Sequence, residues 1–265
     1  MSLAFDNPEP AVASSPVAMA AQFGAGRTIS PVHAASAAIE YTTTRVVPAA
    51  RQAMLARRGV VRQDRSELAE TFKLLRNQVL QKMRADGHRV LAVTSPRAID
   101  GKSLAALNLA QAIAADYDST VLLIDADLGG KGLQCLFDLP AARGLGDYLV
   151  KGAPIPELLV NPAIERFVFL PACSMPVAQS AELLATRTMR ELIEEMKARY
   201  ADRMIVVDLP PALSTADALS FLPLADTTLV VVEEHTTKTS DLDALADLLA
   251  PFELIGTVMS RRLSD

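Results

Sequence analysis

Three short stretches of this chain hold the residues that can do chemistry. The first is Thr94-Ser95-Pro96-Arg97-Ala98-Ile99-Asp100-Gly101-Lys102-Ser103, which joins an apolar run to an amphipathic one. A Gly-Lys-Ser at a strand-to-helix turn suits a phosphate cradle: backbone N–H groups point at the anion and the helix dipole adds to their pull. Lys102 would bring positive charge to the outer phosphates, and the Ser103 hydroxyl is a natural Mg²⁺ ligand. The second stretch, Val121-Leu122-Leu123-Ile124-Asp125-Ala126-Asp127, ends an apolar run in two carboxylates. Spaced two apart, they project on one side if extended geometry persists. One could hold metal-bound water while the other accepts a proton from an attacking hydroxyl, although Asp also serves to form turns after strands. The third, Met204-Ile205-Val206-Val207-Asp208-Leu209-Pro210-Pro211, ends a strand in the Walker B manner, with a carboxylate that reaches Mg²⁺ directly or through water. The chemistry implied is the binding of a nucleoside triphosphate with Mg²⁺. Lys102, Asp125 and Asp127 are the candidate catalytic residues. Arg97, Asp100, Gly101, Lys102, Ser103 and Leu104 are expected at the nucleotide, and Ser103, Asp125 and Asp208 at the metal.

Those loops need strands to end on. Apolar runs mark strands at Val90–Thr94, Val121–Asp125, Phe167–Leu170, Met204–Asp208, Thr228–Glu233 and Leu254–Val258. Helical spacing marks Lys102–Asp116, Ala181–Tyr200, Thr215–Leu222 and Ser240–Leu249 between them. A further helix precedes the first strand, from a Ser66 cap to Gly87, with Leu68, Phe72, Leu75, Val79 and Met83 on one stripe. Continuous apolar strands alternating with amphipathic helices imply an α/β fold, a mostly parallel sheet covered by helices on both faces. The domain is expected over residues 63–265. Residues 1–62, rich in Ala, Ser, Thr and Pro, are expected to be a largely disordered extension, because such a segment buries too little apolar surface to offset its ordering entropy.

Composition narrows the functional classes. A net charge of −5 and a pI near 5.3 argue against a dedicated nucleic-acid binder. No apolar run approaches the roughly 20 residues that cross a bilayer, and the N-terminus, with Asp6, Glu9 and three early prolines, is not a signal peptide, so a cytoplasmic protein is expected. Cys135 and Cys173 lie in no metal-ligand spacing and suit reduced thiols. His33, His88 and His235 are isolated and suggest neither a metal site nor a triad. No Asn-Lys-x-Asp base-reading motif is present, which disfavours a GTPase.

The three strand ends in this order resemble the bacterial tyrosine autokinases of capsular and exopolysaccharide synthesis, part of a wider group of deviant P-loop ATPases that includes septum-site and partition ATPases. Thr94-Ser95, Gly101-Lys102-Ser103 and the paired Asp125/Asp127 match the family, and Asn108-Leu109-Ala110 behind the loop is similar too. Glu70-x-x-Lys73-x-x-Arg76 resembles a Glu-x-x-Arg-x-x-Arg helix that the family associates with ring-like self-assembly. Gly144–Leu149 and Ser180–Leu184 are also similar to family segments. The resemblance implies a P-loop fold of the deviant type, ATP and Mg²⁺ as cofactors, and protein-tyrosine kinase activity in exopolysaccharide synthesis. It also implies a membrane-bound co-polymerase as activator, recruitment to the inner face of the cell membrane, and a homo-oligomer formed through the helix of Glu70, Lys73 and Arg76.

The departures from the family are specific. Pro96 stands where standard spacing has Gly and removes an amide donor; Ala98-Ile99 replaces Pro-Gly; Leu128-Gly129-Gly130-Lys131 replaces Arg-Arg-Pro; and Ser260 replaces an Asn that relatives place near adenine. The family's tyrosine-rich tail is absent from this sequence, so any acceptor is expected at Tyr41, at another internal tyrosine, or on another protein. Two further readings follow: an ATP-binding regulatory pseudokinase of the polysaccharide machinery, and a partitioning-type ATPase, whose signature lysine position is held here by Arg97.

Overall fold

The computed structural model describes residues 2–4, 45–46, 66–98, 101–129, 133, 136–137, 143–172, 179–199 and 202–260. Apart from two short strands, the extension expected over 1–62 lies outside the described residues, as do Tyr41, Cys135, Cys173, Tyr200 and the 261–265 end.

The strands are β1 (Ser2–Ala4), β2 (Arg45–Val46), β3 (Val90–Thr94), β4 (Thr120–Asp125), β5 (Val160–Asn161), β6 (Phe167–Leu170), β7 (Arg203–Asp208), β8 (Thr227–Glu233) and β9 (Leu254–Ser260). They form one sheet in the order β1-β9-β8-β3-β7-β4-β6-β5-β2. The stretch from β9 to β6 is parallel throughout, and its six strands are the six that the apolar runs predict. Among the described residues antiparallel pairing enters only at the flanks, where β1 joins β9 and β5 joins β6.

The helices are α1 (Glu67–Asp86), α2 (Lys102–Ala114), α3 (Leu145–Lys151), α4 (Ile155–Leu158), α5 (Ser180–Leu184), α6 (Arg187–Arg199), α7 (Asp217–Phe221) and α8 (Thr239–Leu249). As predicted, Ser66 caps α1, its hydroxyl accepting from Ala69 N at 3.2 Å, and Gly87 ends it at φ +71°. Leu68 departs from the predicted stripe: it is exposed, because Ala69 takes the inward position in the first turn. The single helix predicted over 181–200 is two. Thr186 breaks it, donating to Leu183 O (2.7 Å) and accepting from Met189 N (3.2 Å), so its side chain ends α5 and caps α6. The short α3, α4 and β5 have no periodic signal of their own and were not predicted.

Alternation along the strands sorts the core into two layers. Val90, Ala92, Leu122, Ile124, Ile205 and Val207 face α6, α7 and α8, against Met189, Leu192, Phe221 and Leu245. Leu91, Val93, Leu123, Val206 and Phe169 face α1 and α2, against Phe72, Leu75, Leu107 and Ile113. Both faces of the sheet are therefore covered, as the continuous apolar runs require.

Candidate nucleotide and metal site

The site forms where strand order changes hands. β3 passes into β4 two places away, and β7 later fills the gap between them, so that Asp125 and Asp208 become direct register partners at adjacent strand ends. Ligands of open α/β sheets bind at the carboxyl ends of such strands. Both aspartates are fully buried.

Lys102, 5 % exposed, lies between the phosphate loop and these carboxylates. Its Nζ donates to Asp208 Oδ1 at 2.5 Å and lies 3.3 Å from Ser103 Oγ. The other oxygen of Asp208, Oδ2, is buried with no hydrogen-bond partner among the described residues. A buried carboxylate oxygen without a partner is costly unless a cation can reach it. Asp125 is held differently: Oδ1 accepts from Asp127 N (3.2 Å) and Oδ2 from Leu133 N (2.5 Å). Burial, then the charge of Asp208, pushes the Asp125 carboxyl up to about 8, against the opposing pull of the Leu133 amide and Lys102. An orphaned oxygen, a second carboxylate and a nearby hydroxyl are all hard oxygen donors, and the residues fit a small divalent cation.

Gly101 opens α2 at φ +111°, a conformation that side chains resist, and a Cβ there would stand 3.0 Å from Ser260 Oγ. Ser260, at the end of β9, therefore closes against the phosphate loop. The first bond within α2 runs from Ala105 N to Gly101 O at 2.7 Å, so the amides of Lys102, Ser103 and Leu104 have no acceptor inside their own helix. The Leu104 side chain packs toward the core, which leaves its amide as the group it can offer. The loop is braced from β7: Leu209 N donates to Val93 O (2.9 Å), Thr94 Oγ1 to Pro210 O (2.9 Å) and Ala212 N to Ser95 O (2.9 Å).

The structure thus brings together Lys102, Ser103, Asp125 and Asp208, with half-buried Asp127 beside them. Asp100 lies outside the described residues. Arg97 is paired on another element: its Nε donates to Asp241 Oδ1 on α8 at 2.8 Å. Asp241 and Leu133 are contributors that sequence reasoning missed, since no local pattern links either to its partner. The stripe on α1 is present: Lys73 pairs with Glu70 at 2.7 Å on the exposed face, while Arg76 donates to Ala112 O (3.3 Å) at the end of α2. The conspicuous Gly144–Leu149 segment has a packing reason. A Cβ at Gly144 would lie 2.1 Å from Pro171 O, and Asp147 Oδ2 accepts from Gly144 N at 3.0 Å. His88, isolated in the sequence, has the carboxylates of Asp86 and Glu253 close by, their ligand atoms all within 4.8 Å of one another, at the opposite ends of the strands. Among the described residues no helix is long and apolar enough to cross a membrane.

No family model matches the chain. Individual proteins do. Tyrosine-protein kinase YwqD of Bacillus subtilis (strain 168) is 32% identical over 170 residues, covering 63% of this chain and 70% of YwqD. The succinoglycan biosynthesis transport protein ExoP of Rhizobium meliloti (strain 1021) is 38% identical over 178 residues, 66% of this chain but only 22% of its own length, so the chain spans about a fifth of that relative. Among solved structures, the kinase domain of the Escherichia coli tyrosine kinase ETK superposes with a TM-score of 0.67 at 24% identity, covering 75% of this chain and 78% of that one, which shows the shared fold. Taken with the paired strand-end aspartates and the Lys102 loop, these likenesses establish that the chain belongs to the bacterial tyrosine-protein kinase family of capsule and exopolysaccharide biosynthesis.

Proposed function

We propose that this chain is an ATP- and Mg²⁺-dependent protein-tyrosine kinase of exopolysaccharide synthesis, with residues 63–265 as the catalytic domain. In this reading it works in the cytoplasm, beside a membrane-bound co-polymerase that activates it, and assembles through the α1 stripe. The observation that carries the reading is the Lys102–Asp208 contact beside Asp125, with Asp208 Oδ2 unpaired among the described residues. That is the charge pattern a triphosphate with a divalent ion would complete.

Asp208, Asp125 and Ser103 are the residues that would hold Mg²⁺, which when bound offsets the negative charge of the phosphates. Lys102 exchanges its bond to Asp208 for the outer phosphate oxygens and neutralises charge that grows there. The amides of Gly101 through Leu104 orient the phosphates at the start of α2. Asp125 or Asp127 takes the tyrosine proton. Positioning and electrostatics, rather than covalent chemistry, supply the rate.

The test is incubation of the purified chain with labelled ATP, Mg²⁺ and its activator, followed by phosphotyrosine mass spectrometry. Tyrosine labelling that disappears in Lys102→Met supports the kinase. Tight ATP binding with no labelled tyrosine selects a regulatory pseudokinase instead. The partitioning-type reading draws no support from Arg97, whose guanidinium is held by Asp241.

A further inference from the structure

Four tyrosines occur in the chain, of which Tyr117 and Tyr148 lie among the described residues. They differ sharply as phosphate acceptors. Tyr148 is half-buried on α3, and burial together with the facing carboxylates of Glu195 and Glu191 makes its hydroxyl harder to ionise. A dianionic phosphate there would meet two like charges.

Tyr117 is 84 % exposed, on the turn between α2 and β4. The turn is built rather than loose. The Asp116 carboxylate accepts from Arg84 Nη2 (2.6 Å) and Ser119 Oγ (3.1 Å), Arg84 Nη2 also lies 2.9 Å from Ser119 Oγ, and Asp116 N donates to Ile113 O (2.9 Å). The Arg166 guanidinium sits 5.2 Å from the Tyr117 ring centroid, and Arg166 Nε is fixed to Ala114 O (3.0 Å). The ring is thus presented to solvent between Asp116, whose charge Arg84 offsets, and Asp118, a like charge that Arg166 opposes from beside the ring, where it can pair with an added phosphate.

We propose that Tyr117 is a phosphate acceptor of this kinase, modified by a second copy of the chain; the inference rests on the kinase reading above. Modification within one copy is excluded by distance. Lys102 and Tyr117 lie at opposite ends of α2, whose 13 residues span about 20 Å at 1.5 Å each. In the step, Tyr117 Oη forms a bond to the γ-phosphorus of ATP held by the second copy. The bond from that phosphorus to the bridging oxygen breaks, ADP leaves with the electron pair, and the phenol proton passes to a strand-end carboxylate and on to solvent. The product phosphate then stands beside Arg166, where a charge-assisted pair replaces the cation–ring contact.

The experiment uses the full chain with ATP, Mg²⁺ and the activator, with and without a glutamate–tyrosine copolymer as an external acceptor. Expected are labelled Tyr117 in wild type, loss of that label in Tyr117→Phe, and unchanged copolymer labelling by Tyr117→Phe. Mixing Tyr117→Phe as enzyme with a mass-tagged Lys102→Met as acceptor should label Tyr117 of the tagged chain. Copolymer labelling with no phosphate on Tyr117, or with phosphate on Tyr41 or Tyr200 alone, overturns the acceptor assignment and leaves the kinase standing. No phosphotyrosine on either copolymer or chain overturns both.

Discussion

Asp125→Asn separates the cost of the site from its use. The Asp125 carboxyl is fully buried beside Asp208, and its proton affinity rises from the ordinary 3.8 to about 8. Between those two pH values the folded chain keeps a proton that the unfolded chain releases, so raising the pH withdraws stability from the empty protein. At about 1.36 kcal/mol per pH unit, the interval from pH 5 to 8 corresponds to roughly 4 kcal/mol, a thermal midpoint difference of roughly 10 °C for a chain of this size. Asparagine is the neutral isostere and removes this dependence. It has one acceptor oxygen for the two amides of Asp127 and Leu133, which offsets the whole curve by about 1 kcal/mol without tilting it. Other titrations do not imitate the effect. Burial alone would push up Asp116, Asp147 and Asp226, but Arg84 with Ser119, Lys151 with the Gly144 amide, and the amides of Arg89 and Val90 with Lys197 hold all three below the ordinary range. Their contributions are lost only toward acid pH, and the histidines are common to both proteins. The assay is thermal melting of both proteins without nucleotide and in chelator, from pH 5 to 9. Wild type should lose ground to Asp125→Asn as pH rises. A difference that stays constant, or that favours wild type at high pH, refutes the reasoning.

Three more outcomes follow from the same geometry. Lys102→Met leaves Asp208 and Asp125 side by side with no cation between them, and initial-rate assays should show phosphotransfer reduced by at least about 10²-fold while circular dichroism shows a folded chain. Gly101→Ala places a Cβ 3.0 Å from Ser260 Oγ at φ +111°, which costs about 1–3 kcal/mol of strain and should weaken ATP binding by calorimetry; unchanged affinity would show that the loop relaxes freely. Alanine at Glu70, Lys73 and Arg76 together should reduce self-association in sedimentation and leave the heat of ATP binding intact, because among the described residues only Arg76 of the three bonds to another element, at Ala112 O.

The central sheet was legible because its signals are local. Six continuous apolar runs gave the six parallel strands, Ser66 and Gly87 gave the ends of α1, and Gly101-Lys102-Ser103 announced a phosphate loop through a turn only a few residues long. The break at Thr186 was hidden, since the apolar period runs on across it and a side-chain cap, not a change of pattern, divides the helices. The site itself belongs to tertiary structure. Lys102 and Asp208 are 106 positions apart and Arg97 and Asp241 are 144 apart, separations across which no spacing rule operates. Placing β7 between β3 and β4 set Asp208 against Asp125, and the burial there raised one carboxyl and left an oxygen of the other unpaired among the described residues. Residue types declared which chemistry was possible; only the crossing of strands, by deciding which charges are buried together, gave those residues their energies.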